Sequence, residues 1–271
     1  MHQILSEQIR GENMQIVRMA ESDTIKGRGR KGQPKSDSCA AKMAGAACGL
    51  AVDIGTTTVV MGLYDLDSGE RLAGLQEKNS QTLLGADVMM RLMHCQRGSQ
   101  HTLEQRIREQ IQNMAEQLCD GFCALEQIKT IAVVGNTTMC HIFLGQDTSG
   151  LAGSPFRPAY RGIYRCKGSD IDLQEMKDTD VIVPAGIDAH VGADAVSMIC
   201  ALQLPETKET VLAVDIGTNA EIALSCKGEI SVCSAPAGPA FEGAQISQGM
   251  RGEPGAIAGM HIARQSGNIL L

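Results

Sequence analysis

Tryptophan is absent from this chain, and aromatic residues make up only 3% of its 271 positions. The core must therefore be aliphatic, with 14 Met available to fill irregular gaps. Positive charge is in deficit: 24 Lys and Arg face 31 Asp and Glu, for a formal net charge of −7, which argues against a general nucleic-acid binder. No apolar run reaches membrane-spanning length, and no N-terminal apolar segment precedes a cleavage site. The expectation is a soluble, cytoplasmic chain without a membrane partner. Cys is plentiful at ten, but no CxxC occurs, so neither a zinc ribbon nor a ferredoxin-type cluster can be read from spacing. Several Cys (Cys119, Cys140, Cys200, Cys226) sit inside apolar patterns and read as buried, reduced thiols. No GxxxxGK[ST] is present, which excludes a Walker loop.

What the chain does have is a repeat. AVDIGT occurs at Ala51–Thr56 and again at Ala213–Thr218, offset by 162 residues. Each copy is followed by an alternating apolar run and a second turn, Ser68-Gly69-Glu70 and Lys227-Gly228-Glu229. Two distant strand–turn–strand units with one loop chemistry imply a duplicated fold closing on one ligand.

Along the chain, residues 1–48 read as a flexible N-terminal segment with a basic, Gly-rich linker at 26–35. Residues 49–209 read as a first lobe: three strands, a helix over about 86–95, a helix opening at a Thr102/Gln105 capping box, a buried strand at 130–134, and a helix starting among Thr137–Met139. The second of these helices places Leu103, Ile107, Ile111, Met114 and Leu118 on one face. Residues 145–180 look like an insertion, after which come a strand at 181–183 and a helix over 192–204 ended by Pro205. Residues 210–271 read as the start of a second lobe, too short for a full second copy, so a truncated product is one expectation.

The loop chemistry points to a triphosphate. Gly55 permits a tight turn and close approach of phosphate oxygens to the backbone, while Thr56, Thr57 and Thr58 offer hydroxyl donors. Asp53 at the strand end can hold Mg²⁺ through water. Gly217, Thr218 and Asn219 offer the same set on the other side, and Asp215 can order the metal or the attacking water. Glu221 and Glu242 are candidates to polarise that water, with surface carboxylates as the alternative. Asn136 either contacts substrate or caps a helix; Asp194 either joins the metal's outer sphere or serves a helix N-terminus. His141 reads as a satisfied core histidine, Asp188 and His190 carry no metal, and Asp87 with Arg91 reads as an ordinary i, i+4 ion pair. In Gly238-Pro239-Ala240-Phe241-Glu242-Gly243, the glycines permit a ligand or backbone to approach, so Gly238 joins the binding set.

The paired loops resemble those of the acetate and sugar kinase/heat-shock chaperone/actin (ASKHA) superfamily, an actin-like, ribonuclease H-like α/β fold of mixed sheets with flanking helices. That resemblance implies a complete first lobe, a partial second lobe, and a connecting helix at 192–204. More specific strings resemble the ATPase domain of the reductive activators of corrinoid proteins. These are Gly85-Ala86-Asp87-Val88, Val134-Gly135-Asn136-Thr137-Thr138-Met139, Val191-Gly192-Ala193-Asp194-Ala195, Asp215-Ile216-Gly217-Thr218-Asn219-Ala220-Glu221, Ala237-Gly238-Pro239-Ala240-Phe241-Glu242-Gly243-Ala244 and Gly249-Met250-Arg251. The match covers about residues 49–262. It implies an ATP- and Mg²⁺-dependent unit that drives reduction of cob(II)alamin to cob(I)alamin in a corrinoid protein or corrinoid-dependent methyltransferase. The residues themselves, rather than the match, give Asp215, Glu221 and Asn136 as the expected catalytic set and Asp53 and Asp215 as the expected metal holders. A [2Fe–2S] domain is expected in full-length members, and no ligands for it, nor a counterpart of the family's middle region, are visible in residues 1–47. Incomplete sheet edges allow a homodimer. The alternatives are a small-molecule kinase of the same superfamily and a non-catalytic, partner-binding fragment.

Overall fold

The computed structural model describes residues 2–8, 14–21, 47–237, 261–262 and 269–270. Its centre is β3 (Cys48–Ile54), where Leu50, Val52 and Ile54 are buried, Ala51 is exposed and Asp53 half-buried. That alternation comes from the two-residue period of a strand. β3 pairs antiparallel with β4 (Thr58–Asp65), which pairs antiparallel with β5 (Arg71–Lys78). On its other side β3 runs parallel to β6 (Ile128–Gly135). β6 in turn pairs with β8 (Asp180–Val183), and β8 with β7 (Tyr164–Lys167), giving the order β5-β4-β3-β6-β8-β7. The segment expected to be a plain insertion at 145–180 therefore contributes β7, an edge strand.

Three helices follow from local chemistry. α1 (Val88–His94) starts where the Asp87 carboxylate accepts from the Met90 N–H at 2.8 Å. α2 (Gln100–Cys119) lays Leu103, Ile107, Ile111 and Met114 wholly inside the main core, with Leu118 nearly so. The expected Thr102/Gln105 capping box does not form. The chain leaves α1 through a π-type turn at Cys95–Ser99 and kinks at Gly98, whose φ of 87° admits only glycine comfortably, so α2 begins at Gln100 with Thr102 inside its first turn. α3 (Thr137–Leu144) is capped by Asn136 and ended by left-handed Gly145.

The second unit repeats the opening meander. β9 (Thr210–Ile216), β10 (Asn219–Cys226) and β11 (Glu229–Pro236) pair antiparallel in sequence, as β3, β4 and β5 do. α4 (Ala193–Ala201) precedes them; its Met198 and Ile199 form a second core with Leu204, Val211, Ala213 and Ala223. Here the structure departs from the sequence reading. Residues expected to be a flexible segment form β1 (His2–Gln8) and β2 (Met14–Glu21), an antiparallel pair whose second strand runs parallel to β9. β2 thus stands beside β9 as β6 stands beside β3: Asp215 faces Met19 in register, and Asp53 faces Val134. A strand edge binds whatever extended backbone reaches it, and hydropathy leaves no mark of that. β12 (His261–Ile262) and β13 (Ile269–Leu270) form a short separate pair. The basic stretch 26–35 lies outside the described residues.

The fold is a mixed α/β ASKHA-type arrangement. Cys48, Cys95, Cys119 and Cys140 are buried, whereas Cys200, expected inside, is exposed because it lies on the outer side of α4. Among the described residues no helix is long and apolar enough to cross a membrane.

Candidate functional site

The two AVDIGT loops meet. Thr57 and Thr218, 161 positions apart, share a hydroxyl–hydroxyl hydrogen bond of 2.9 Å. Both loops leave the sheets at the carboxyl ends of β3 and β9, where open α/β sheets gather their ligands. Each loop is tight. A Cβ on Gly55 would stand 2.5 Å from the Thr58 carbonyl oxygen, and Gly217 N–H donates to the Asn219 carbonyl at 2.9 Å.

The three threonines divide their work. Thr57 is exposed at the contact between loops, Thr58 is half-buried at the start of β4, and Thr56 is buried. The Thr56 hydroxyl accepts from the Asn136 side-chain amide at 3.1 Å, so it ties the first loop to the end of β6 rather than presenting itself to the cleft. Asn136 does two jobs at once, because its Oδ1 also accepts from Met139 N–H at 3.0 Å and caps α3. Gly192 abuts this corner so closely that a Cβ there would meet the Gly135 oxygen and the Thr137 nitrogen, both at 2.6 Å.

Four carboxylates converge on the cleft and feel one another. Asp53 is pushed up to about 7, first by burial and then by the charges of Asp194 and Asp215. Asp194 is pushed up to about 6 by burial, with Asp215 adding to it. Glu221, which lies opposite Asp215 across β9 and β10, is pushed up to about 7 by burial and then by Asp194. Glu221 Oε1 accepts from the Ser234 hydroxyl at 2.9 Å, while its buried Oε2 has no hydrogen-bond partner among the described residues. An orphaned carboxylate oxygen among other raised carboxylates fits a site whose charge is meant to be met by a cation or a proton. Asp194 opens α4 and accepts from its neighbour Ala195 N–H at 2.8 Å, so the helix role and the cluster role coincide.

Among the described residues no group of three or more His, Cys, Asp and Glu side chains is arranged to hold a metal ion by itself. Gly238 and Glu242 lie outside the described residues.

Other sequence expectations resolve individually. His141 is a satisfied core histidine: Nδ1–H donates to the Thr137 carbonyl at 2.7 Å, Nε2 accepts from Ala159 N–H at 3.0 Å, and the ring stacks on Tyr160. Asp188 pairs with Arg161 at 3.4 Å. The expected Asp87–Arg91 ion pair is not there. Asp87 caps α1, and Arg91, fully buried, turns the other way and binds the Thr56 carbonyl. Neither Arg91 nor Asn79, whose amide donates to the Gly55 carbonyl at 2.8 Å, stood out in the sequence as a site residue.

Comparison with known proteins agrees with this geometry. The family described as the RACo middle region matches residues 48–207, and the C-terminal ASKHA domain of RACo matches residues 209–270. The middle region, which has no visible counterpart in residues 1–47, is thus the segment that forms the first lobe. The chain is 36% identical over 213 residues to the corrinoid activation enzyme RamQ of Eubacterium limosum, covering 77% of this chain and 35% of that protein. It is 31% identical over 218 residues to the [Co(II) methylated amine-specific corrinoid protein] reductase of Methanosarcina barkeri, covering 77% and 40%. A solved structure, a reductive activator for corrinoid, iron-sulfur protein, superposes with a TM-score of 0.73 at 33% identity, over 84% of this chain and 37% of that one. The chain spans 35 to 40% of the length of these relatives. With the middle-region match alone covering more than half of it, the chain belongs to the RACo family of corrinoid-activation proteins.

Proposed function

We propose that this chain supplies the phosphate-gripping part of an ATP-binding and ATP-hydrolysing unit that drives reductive reactivation of a corrinoid protein. The observation that carries the reading is the contact between Thr57 and Thr218, which brings two identical loops to one cleft. Backbone N–H groups of both loops, with the Thr57 and Thr218 hydroxyls, would hold the phosphate oxygens. Asp53 and Asp215 would hold Mg²⁺ through its water ligands. When bound, Mg²⁺ neutralises phosphate charge and draws both loops onto one polyanion. Glu221 can take a proton from water at its unpaired Oε2, since a carboxyl near 7 is poised for proton transfer at neutral pH. Asn136, anchored to both Thr56 and α3, keeps the first loop in register with the second. The relatives' names bring in the partner: the corrinoid protein whose cobalt is reduced from cob(II)alamin to cob(I)alamin would sense closure of the lobes.

The test is a thermal shift with Mg²⁺ and ATP, paired with phosphate release. A shift that Asp53→Ala and Asp215→Ala both abolish, and phosphate release stimulated by a corrinoid protein without phosphorylated product, support the reading. No shift at millimolar ATP, or a shift indifferent to Asp215→Ala, sinks it. A phosphorylated small molecule would point to a kinase instead.

A further inference from the structure

Three consecutive carbonyls of the first loop are held from behind. Gly55 O accepts from the Asn79 side-chain amide at 2.8 Å, Thr56 O accepts from Arg91 Nη2, and Thr57 O accepts from the Asn79 backbone N–H at 2.8 Å. A trans peptide is planar, with its C=O and N–H pointing oppositely. Drawing three successive carbonyls inward therefore turns the N–H groups of Thr56, Thr57 and Thr58 outward, as a row of donors. Successive N–H groups facing one way form an anion nest.

Both holders are built for the task. Asn79 is fully buried, and its Oδ1 is fixed by Gln81 N–H at 2.9 Å, which aims Nδ2 at Gly55. Arg91 is one of the largest fully buried side chains among the described residues. Besides Thr56 it donates to the Gly85 carbonyl at 3.1 Å, to Gln81 Oε1 at 3.2 Å and to the Met139 sulfur at 2.8 Å. All of these acceptors are neutral, and no carboxylate among the described residues lies within ion-pair distance of it; the charge of Asp87, farther off, offsets only part of the cost of its burial. A buried cation without a carboxylate is costly unless something else compensates it. The cleft in front of the loop, by contrast, carries four acidic side chains that would repel a polyphosphate.

We propose that Asn79 and Arg91 are the positioning residues of the first phosphate loop, and that Arg91 is the fixed counter-charge for the phosphate bound there. This deepens the reading above and rests on it. Neither residue touches the ligand; Asn79 sets the direction of the donors, and Arg91 sets both direction and field.

The test measures binding of Mg²⁺–ATP and of tripolyphosphate by titration calorimetry, across a salt series, with far-UV circular dichroism confirming the fold. Three variants are used. Asn79→Asp keeps the Oδ1 acceptor for Gln81 and replaces the donor to Gly55 by a carboxylate oxygen, so it also adds a negative charge behind the loop. Arg91→Met removes the charge at similar length, and Arg91→Lys keeps it. Expected are at least tenfold weaker tripolyphosphate binding in Asn79→Asp and Arg91→Met, partial rescue in Arg91→Lys, and a shallower salt dependence in Arg91→Met than in Arg91→Lys. Folded Asn79→Asp and Arg91→Met proteins that bind like the parent overturn the inference. So does weakening in Arg91→Met without Lys rescue or a change of salt slope, since that marks a purely structural residue. If Arg91→Met does not fold, Asn79→Asp and Arg91→Lys decide. Failure of the parent protein to bind, or binding unchanged by Asp215→Ala, is a different result: it removes the nucleotide reading itself and this inference with it.

Discussion

A carboxylate that burial and its neighbours drive up to about 7 is partly protonated at neutral pH. For Asp53 the folded value lies above the unfolded one, so its contribution to stability is complete below about 4 and fades as pH rises through 7. Asp53→Asn is therefore expected to stabilise the ligand-free protein by about 4 kcal/mol at pH 8 and by roughly a third as much at pH 5, the loss accruing between the unfolded value and about 7. It is also expected to abolish the Mg²⁺-dependent response to ATP. Urea unfolding at the two pH values checks this; an equal gain at both would refute it. His141 pulls the other way, since burial lowers its value and its contribution is lost as pH falls below 6.5. Asp53 and Asp215 could be picked out in the sequence because the same hexapeptide surrounds each. Arg91 and Asn79 could not, because a side chain that binds a backbone carbonyl has no complementary residue to betray it.

Elements were legible where burial has a period. α2 shows its core face in Leu103, Ile107, Ile111, Met114 and Leu118, all of which the structure buries, together with Ala115, Cys119 and the polar Glu104, Arg108 and Gln110. Ile107→Ala should cost about 3 kcal/mol, read as a lower denaturant midpoint with an unchanged slope. A loss under 1 kcal/mol would mean that α2 is not the main support of the first sheet. Its start was not legible, because Gly98 and the π-type turn before it override the Thr102 signal. β7 escaped for a related reason: a short edge strand has no buried face on both sides, so its residues alternate only weakly between half-buried and exposed.

At the scale of the molecule, the duplication was legible from the repeat, whereas the pairing of β2 with β9 was not, since backbone hydrogen bonds between distant segments leave no mark in hydropathy. The two units also share one helix. α4 packs against β6 of the first lobe and against β9 and β10 of the second, and its leading residue Gly192 presses backbone to backbone on Gly135, Asn136 and Thr137. In the lobe closure proposed above, that contact would act as a fulcrum: the second unit would roll over α4, and the spot with least slack lies under the very corner that anchors the first loop. A single methyl at Gly192 would wedge this bearing, separating the acidic tips without touching either one. Gly192→Ala should thus weaken ATP binding at least tenfold while both loops stay chemically intact, and unaltered affinity in a folded variant would show that the lobes pivot elsewhere.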